Sequence, residues 1–445
     1  MFKPFAKTVI LFTLITLLSA CGAPTATIVP PPPMAVSPTA VPPTAVSPTV
    51  VPPTAEPLLA SDTWIKTYGG DRDVDARGLL LADDGGYFVV GTTNLEFEPE
   101  RKGDVYLLRL DTAGEILWEE TYGGKGYDGG QAITWAGDGN LLIAGVTTSF
   151  DAEGIDAYLL KVDQDGNELW SRSYGGPLDE FVGAVGPTKD GGFILGGNIV
   201  DPNDFIADPG AAGYGGSEGR SNLYLLKVDA GGNEVWSRAY ESEDNVLASG
   251  GAYTPDGGFL FLATITYFPD PDDDILLIKL DGQGNEVWSR TWKEGISNPY
   301  GLIPTSDGNY LITASYTPLE GTEDAKEDFL FIKIDPEGNE IWRSVFGDPD
   351  MIDYGVVLAE AADGGYVVAG ERTRDHHTRE TDIVLVKIDE NGQRVWEQNR
   401  TASHTMFSSI LQHPDGGFVV TGATFRQPAF AILLIKTDSE GNVAE

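Results

Sequence analysis

One tryptophan recurs along the chain at near-constant intervals: Trp64, Trp118, Trp170, Trp236, Trp288, Trp342 and Trp396. Successive spacings are 52 or 54 residues except for one of 66, stretched by an insertion between about Asp201 and Arg220. A period of this length marks a repeat architecture whose units bury their apolar faces against one another. Three further marks keep step with the tryptophan. An Asp-Gly-Gly or Asp-Gly-Asn turn recurs from Asp84-Gly85-Gly86 to Asp415-Gly416-Gly417, each followed by an apolar run such as Tyr87-Phe88-Val89-Val90; here Asp caps the turn and Gly takes positive φ. An apolar strand ends in a base at Arg109, Lys161, Lys227, Lys279, Lys333, Lys387 and Lys436. An Asp-x-x-Gly turn leads into the tryptophan, as in Asp163 to Trp170.

Each unit therefore reads as four strands: a short one, one after Asp-Gly-Gly, one ending in the base, and the tryptophan strand. No helical period appears. The middle two strands are apolar on both faces, so neighbours must cover each sheet on both sides, as radially packed blades do. The repeats open at Trp64, in a fourth strand, and run to Asp438-Ser439-Glu440-Gly441-Asn442, just before another tryptophan would fall. Six units are whole and the seventh is split between the two ends. The expectation is an all-β, seven-bladed β-propeller of four-stranded antiparallel blades, closed by the N-terminal strand pairing with the C-terminal blade, which leaves the ring no open end.

The repeat resembles those of bacterial propeller lipoproteins with quinoprotein- or WD-like units, and Asp-x-x-Gly-x-x-x-Trp is similar to the tryptophan-docking motif of quinoprotein (PQQ-type) propellers. The resemblance covers most of residues 60–445. Quinoprotein units are usually shorter and carry Thr before the Gly, where this chain has Ala113, Asp165 or Glu337. The resemblance implies a fold and not a cofactor, and none is expected.

Ahead of the ring, residues 1–20 read as a lipoprotein signal peptide, with Lys3 and Lys7 before an apolar stretch, Thr8 to Leu18, too short to span a bilayer. Leu18-Ser19-Ala20-Cys21 resembles the bacterial lipobox, which makes Cys21 the expected lipidated residue and a lipid anchor the expected membrane contact. It is the chain's single cysteine, so internal disulfides and thiolate zinc sites are excluded. Residues 21–60 form a Pro/Thr-rich linker, extended at ~3.1 Å per residue, and 61–445 the propeller. The expected location is the extracytoplasmic side of a bacterial envelope.

The net charge of −39 excludes a nucleic-acid partner. Strand parity places the Asp-Gly-Gly and Asp-x-x-Gly turns on one rim. The loops after the tryptophan strands and between second and third strands share the other, where length and sequence vary. Binding is usually built on such variable loops. That rim is acidic. Solvated surface charge is the commoner role of such runs; the sharper reading is calcium at Asp270, Asp272 and Asp273, since hard cations take clustered oxygens. His376, His377 and His404 fall on the same rim and with Asp375 carry a transition-metal ligand set, although loop histidines are more often merely solvated. Asp75, Asp128, Asp179 and Asp353, near the starts of first strands, read as turn caps or as a broken carboxylate ring. The strand-end bases read as partners of neighbouring carboxylates.

No nucleophile motif or metal-ligand spacing identifies an enzyme, so none is assigned. The leading expectation is a monomeric binding or scaffolding module for a protein or polysaccharide. The alternatives are a carbohydrate-active or quinone-dependent extracytoplasmic enzyme and an envelope-assembly lipoprotein.

Overall fold

The computed structural model describes residues 63–70, 72–93, 103–205, 219–266, 273–292, 296–317, 326–374, 380–403, 405–426 and 429–443. Asp270, Asp272, His376, His377 and His404 lie outside this set. The described chain forms seven four-stranded antiparallel sheets, with no helix among the described residues. Six sheets take their strands in consecutive order. The seventh joins Thr405–Gln412, Phe418–Arg426 and Ala429–Lys436 to the N-terminal strand Trp64–Tyr68. Trp64 pairs with Lys436, Ile65 with Ile435 and Tyr68 with Ile432. The first strands of consecutive blades contact one another in an unbroken cycle from Gly78–Leu81 of blade 1 to Thr405–Gln412 of blade 7 and back. The protein is a closed seven-bladed β-propeller.

The middle strands explain why the blades need each other. Tyr87–Thr92 and Val105–Leu110 of blade 1 are buried at every position. Side chains of one parity, including Phe88, Val90 and Leu107, pack with Leu141, Ile143 and Leu160 of blade 2. The other parity, Tyr87, Val89 and Leu108, packs with Ile432 and Leu434 of blade 7. Seven such clusters exist, one at each blade interface. Burial of an apolar side chain is worth roughly 1.5–3 kcal/mol, so removing one blade would strand two interfaces.

The tryptophans stitch these interfaces on the turn side. Each indole lies over the glycine of the next blade's Asp-x-x-Gly turn: Trp64 on Gly114, Trp118 on Gly166, Trp170 on Gly232, Trp236 on Gly284, Trp288 on Gly338, Trp342 on Gly392 and Trp396 on Gly441. All seven glycines have positive φ. Four residues after the tryptophan, Tyr68, Tyr122, Tyr174 and Tyr240 donate to the carbonyl of that glycine at 2.9, 2.7, 2.6 and 2.8 Å.

First strands differ from the expectation of a short element. They run eight or nine residues in blades 2 to 7 and four in blade 1. Small residues and a bulge hid them: the register slips between Gly130 and Ala132, and at corresponding places in blades 3, 4, 6 and 7. A bulge breaks the alternation by which a strand is read from sequence.

Candidate functional site

The turn rim is spent on structure. In all seven blades the strand-end base reaches back to the acid of its own Asp-Gly-Gly or Asp-Gly-Asn turn. Arg109 meets Asp84, Lys161 meets Asp138, Lys227 meets Asp190 and Lys333 meets Asp307 at 2.6 Å, Lys279 meets Asp256 at 2.8 Å, and Lys387 and Lys436 bond Asp363 and Asp415. The bases are buried and most of the acids exposed. Hydrogen bonds from Lys227 and Thr188 hold the Asp190 carboxyl down at about 2. Burial pushes Asp256 up, but Lys279 and Thr254 outweigh it and bring that acid also to about 2. In the Asp-x-x-Gly turns Asp Oδ1 accepts two backbone amides, as Asp163 does from Asp165 at 3.0 Å and Asn167 at 2.8 Å. These acids cap turns, and the bases are their counterions.

The opposite rim is uneven. Of the sequence-derived candidates, the backbone of Asp273 is described, opening the third strand of blade 4 opposite Thr266. Among the described residues no group of three or more His, Cys, Asp or Glu is arranged to hold a metal. The first-strand acids act as caps. Asp75 accepts from Thr92 N at 2.8 Å and Arg77 Nε at 2.7 Å, and Asp179 accepts from Ile155 N at 3.0 Å. Asp128, wholly buried, takes the Thr147 hydroxyl, the Ser149 hydroxyl at 2.8 Å and Gly124 N at 2.7 Å. Asp353 binds Asp348 N at 2.8 Å and the Arg372 guanidinium, which also holds Glu397 at 2.8 Å.

What sequence reading missed is that two of these acids have acidic partners across the blade boundary. The acid that opens a third strand faces the acid that begins the next blade, and the glycine after the fourth strand leaves the gap between them. A Cβ at Gly123 would lie 2.6 Å from both Asp104 Oδ1 and Asp128 Oδ2. One at Gly347 would collide with Asp328 and Asp353. One at Gly175 would collide with Asp156 Oδ1 and sit 2.5 Å from Glu180 Oε2. Register makes Glu180, and not its neighbour Asp179, the counterpart of Asp128: Asp128 lies opposite Thr147, Asp353 opposite Arg372 and Glu180 opposite Ile199. Thr147 and Arg372 donate to their acids, whereas Ile199 has nothing to donate. The legible signal was an acid repeated at the head of the third strand with a glycine 19 residues on, as in Asp104 and Gly123 or Asp156 and Gly175.

The pair in blades 2 and 3 is thus the least compensated. Burial, then Asp156, pushes the Glu180 carboxyl up to about 7; burial, then Asp179 and Glu153, raises Asp156. Glu180 also lines a cleft of about 360 Å³ walled by Gly176, Leu178, Tyr224, Glu234 and Arg238.

A family model described as outer membrane protein assembly factor BamB matches residues 222–427, under half of the chain. The regulatory protein FlaEY of Caulobacter vibrioides is 26% identical over an alignment of 137 residues, which covers 27% of this chain and 14% of that protein. Among solved structures, a polysaccharide lyase, PL25 ulvan lyase, superposes with a TM-score of 0.51 at 10% identity, covering 84% of this chain and 97% of its own. A puromycin hydrolase gives 0.50 at 15% identity, covering 83% and 54%. At such identities the likeness is one of fold. The chain is a seven-bladed β-propeller whose repeats over residues 222–427 are similar to those of the BamB model.

Proposed function

We propose that this protein is a membrane-tethered, extracytoplasmic propeller, anchored through a lipid on Cys21, that binds or scaffolds a protein or polysaccharide partner. The observation that carries this reading is the contrast between its rims. One repeats the same ion-paired turn seven times. The other varies in loop length, and its loop after the fourth strand of blade 2 supplies one wall of the cleft between blades 2 and 3. A rigid ring with one variable rim is a platform for recognition.

The test is retention of partners from envelope extract or polysaccharide by the immobilised full-length protein. Deletion of residues 201–220 together with neutralisation of Asp270, Asp272 and Asp273 is expected to abolish retention, and unchanged retention contradicts the reading. Cys21→Ser is expected to move the protein from the membrane to the soluble fraction. The match of residues 222–427 to the assembly-factor model supports a second reading, docking of other envelope proteins. Co-purification of envelope proteins without glycan favours it.

A further inference from the structure

We infer that Asp156 and Glu180 form a calcium site at the junction of blades 2 and 3. Two side chains argue for a ligand. Asp156 is 7% exposed and Glu180 5%, and the Oδ1 of one and the Oε2 of the other have no hydrogen-bond partner. A buried carboxylate oxygen left unpaired costs several kcal/mol unless a charge compensates it. Both oxygens point at one place, the space left by the missing side chain of Gly175, where a single added atom would touch both. Two oxygens that one atom can touch are within the span a calcium ion bridges, at about 2.3–2.6 Å from each ligand.

Comparison within the ring sharpens the assignment. At the equivalent junctions the compensation is built into the protein: Thr147 and Ser149 donate to Asp128, and Arg372 lies on Asp353. At this junction Ile199 stands where Thr147 or Arg372 would. In blade 3 the third-strand acid is itself replaced by Asn222, which accepts Ser242 N at 2.8 Å, so no charge needs balancing there. The free Glu180 Oε2 lies 2.5 Å from the place a Cβ on Gly175 would take, on the side of Asp156. The donors are hard carboxylates with no imidazole or thiolate among them, a set suited to calcium and not to a transition metal. With two protein carboxylates and water completing the shell, the expected affinity is that of extracellular calcium modules, a Kd on the order of 10⁻⁴–10⁻³ M. The site is separate from the acidic loop at 270–274 and does not depend on which partner the rim binds.

The test is calcium titration of EDTA-stripped full-length protein, followed by calorimetry and thermal melting. Calcium at about ten times its Kd is expected to raise Tm by roughly 2 °C. Glu180→Gln and Asp156→Asn are each expected to weaken this binding at least about tenfold. Both variants should melt in EDTA no lower than the parent, since each removes one of two repelling charges, so a lost response cannot be ascribed to misfolding. Asp104→Asn, at the equivalent place in blade 1, should leave calcium binding unchanged. A parent that does not respond to calcium, or a response that survives in both Glu180→Gln and Asp156→Asn, overturns the assignment.

Discussion

At Gly232, where φ is +76°, an added Cβ would lie 2.8 Å from the Trp170 ring. Gly232→Ala combines the left-handed backbone penalty of roughly 1–2 kcal/mol with displacement of the indole. Denaturant unfolding is expected to show a loss of at least about that size. The turn acids carry a pH prediction. Asp190 titrates below the ordinary Asp range because Lys227 and Thr188 bond it. A depressed folded pKa adds stability above the unfolded value of about 3.9 and loses it as pH falls toward 2. Asp190→Asn is therefore expected to lower stability at pH 7 by at most about 1 kcal/mol, because the acid is exposed and screened. The gap to the parent should close as the pH of the melt approaches 2, and a gap that stays constant with pH contradicts the ion-pair role.

Within one fourth strand, neighbouring residues do unlike work. In Glu340–Phe346, Trp342 reaches blade 6, its ring against Gly392 and its Nε1 donating to Glu390 O at 3.0 Å. Ile341 is 49% exposed. Trp342→Ala is expected to cost about 3 kcal/mol, the low end for large aromatic truncations since the ring is half-buried. Ile341→Ser should stay within about 0.5 kcal/mol. Parallel denaturant melts check the contrast, and equal losses contradict it. The middle strands and both turn types were legible in the sequence because burial on both faces and positive-φ glycines leave unambiguous residue patterns. The first strands were not, since their bulges shift side-chain parity and Gly130, Gly250 or Gly355 weaken the apolar signal. The acid pairs escaped for a related reason: Asp156 and Glu180 belong to different blades, and only the register of first with second strand inside each blade shows that Glu180, and not Asp179, takes the place of Asp128.

Across the whole molecule, seven interblade clusters leave no blade stable by itself, so stability rests on the last interface being made. That interface is unlike the rest in its chain path. Tyr68, Val419, Ile432 and Leu434 pack on Tyr87 and Val89, and His413 of blade 7 bridges to the Gly85 carbonyl at 3.3 Å. Closure was readable from the sequence because the first and last repeats are complementary fragments of one unit. The variable rim was readable only as a location, since its loops differ from blade to blade and follow no repeat; Asp270, Asp272, His376, His377 and His404 lie outside the described residues. The most direct test of the closed ring is a disulfide between Thr67→Cys and Leu433→Cys, Cα partners in the closing sheet, made in a Cys21→Ser background. Oxidation of the monomer should yield a single linked peptide joining these two positions. Two free thiols under the same conditions, or linkage only between separate molecules, would contradict closure.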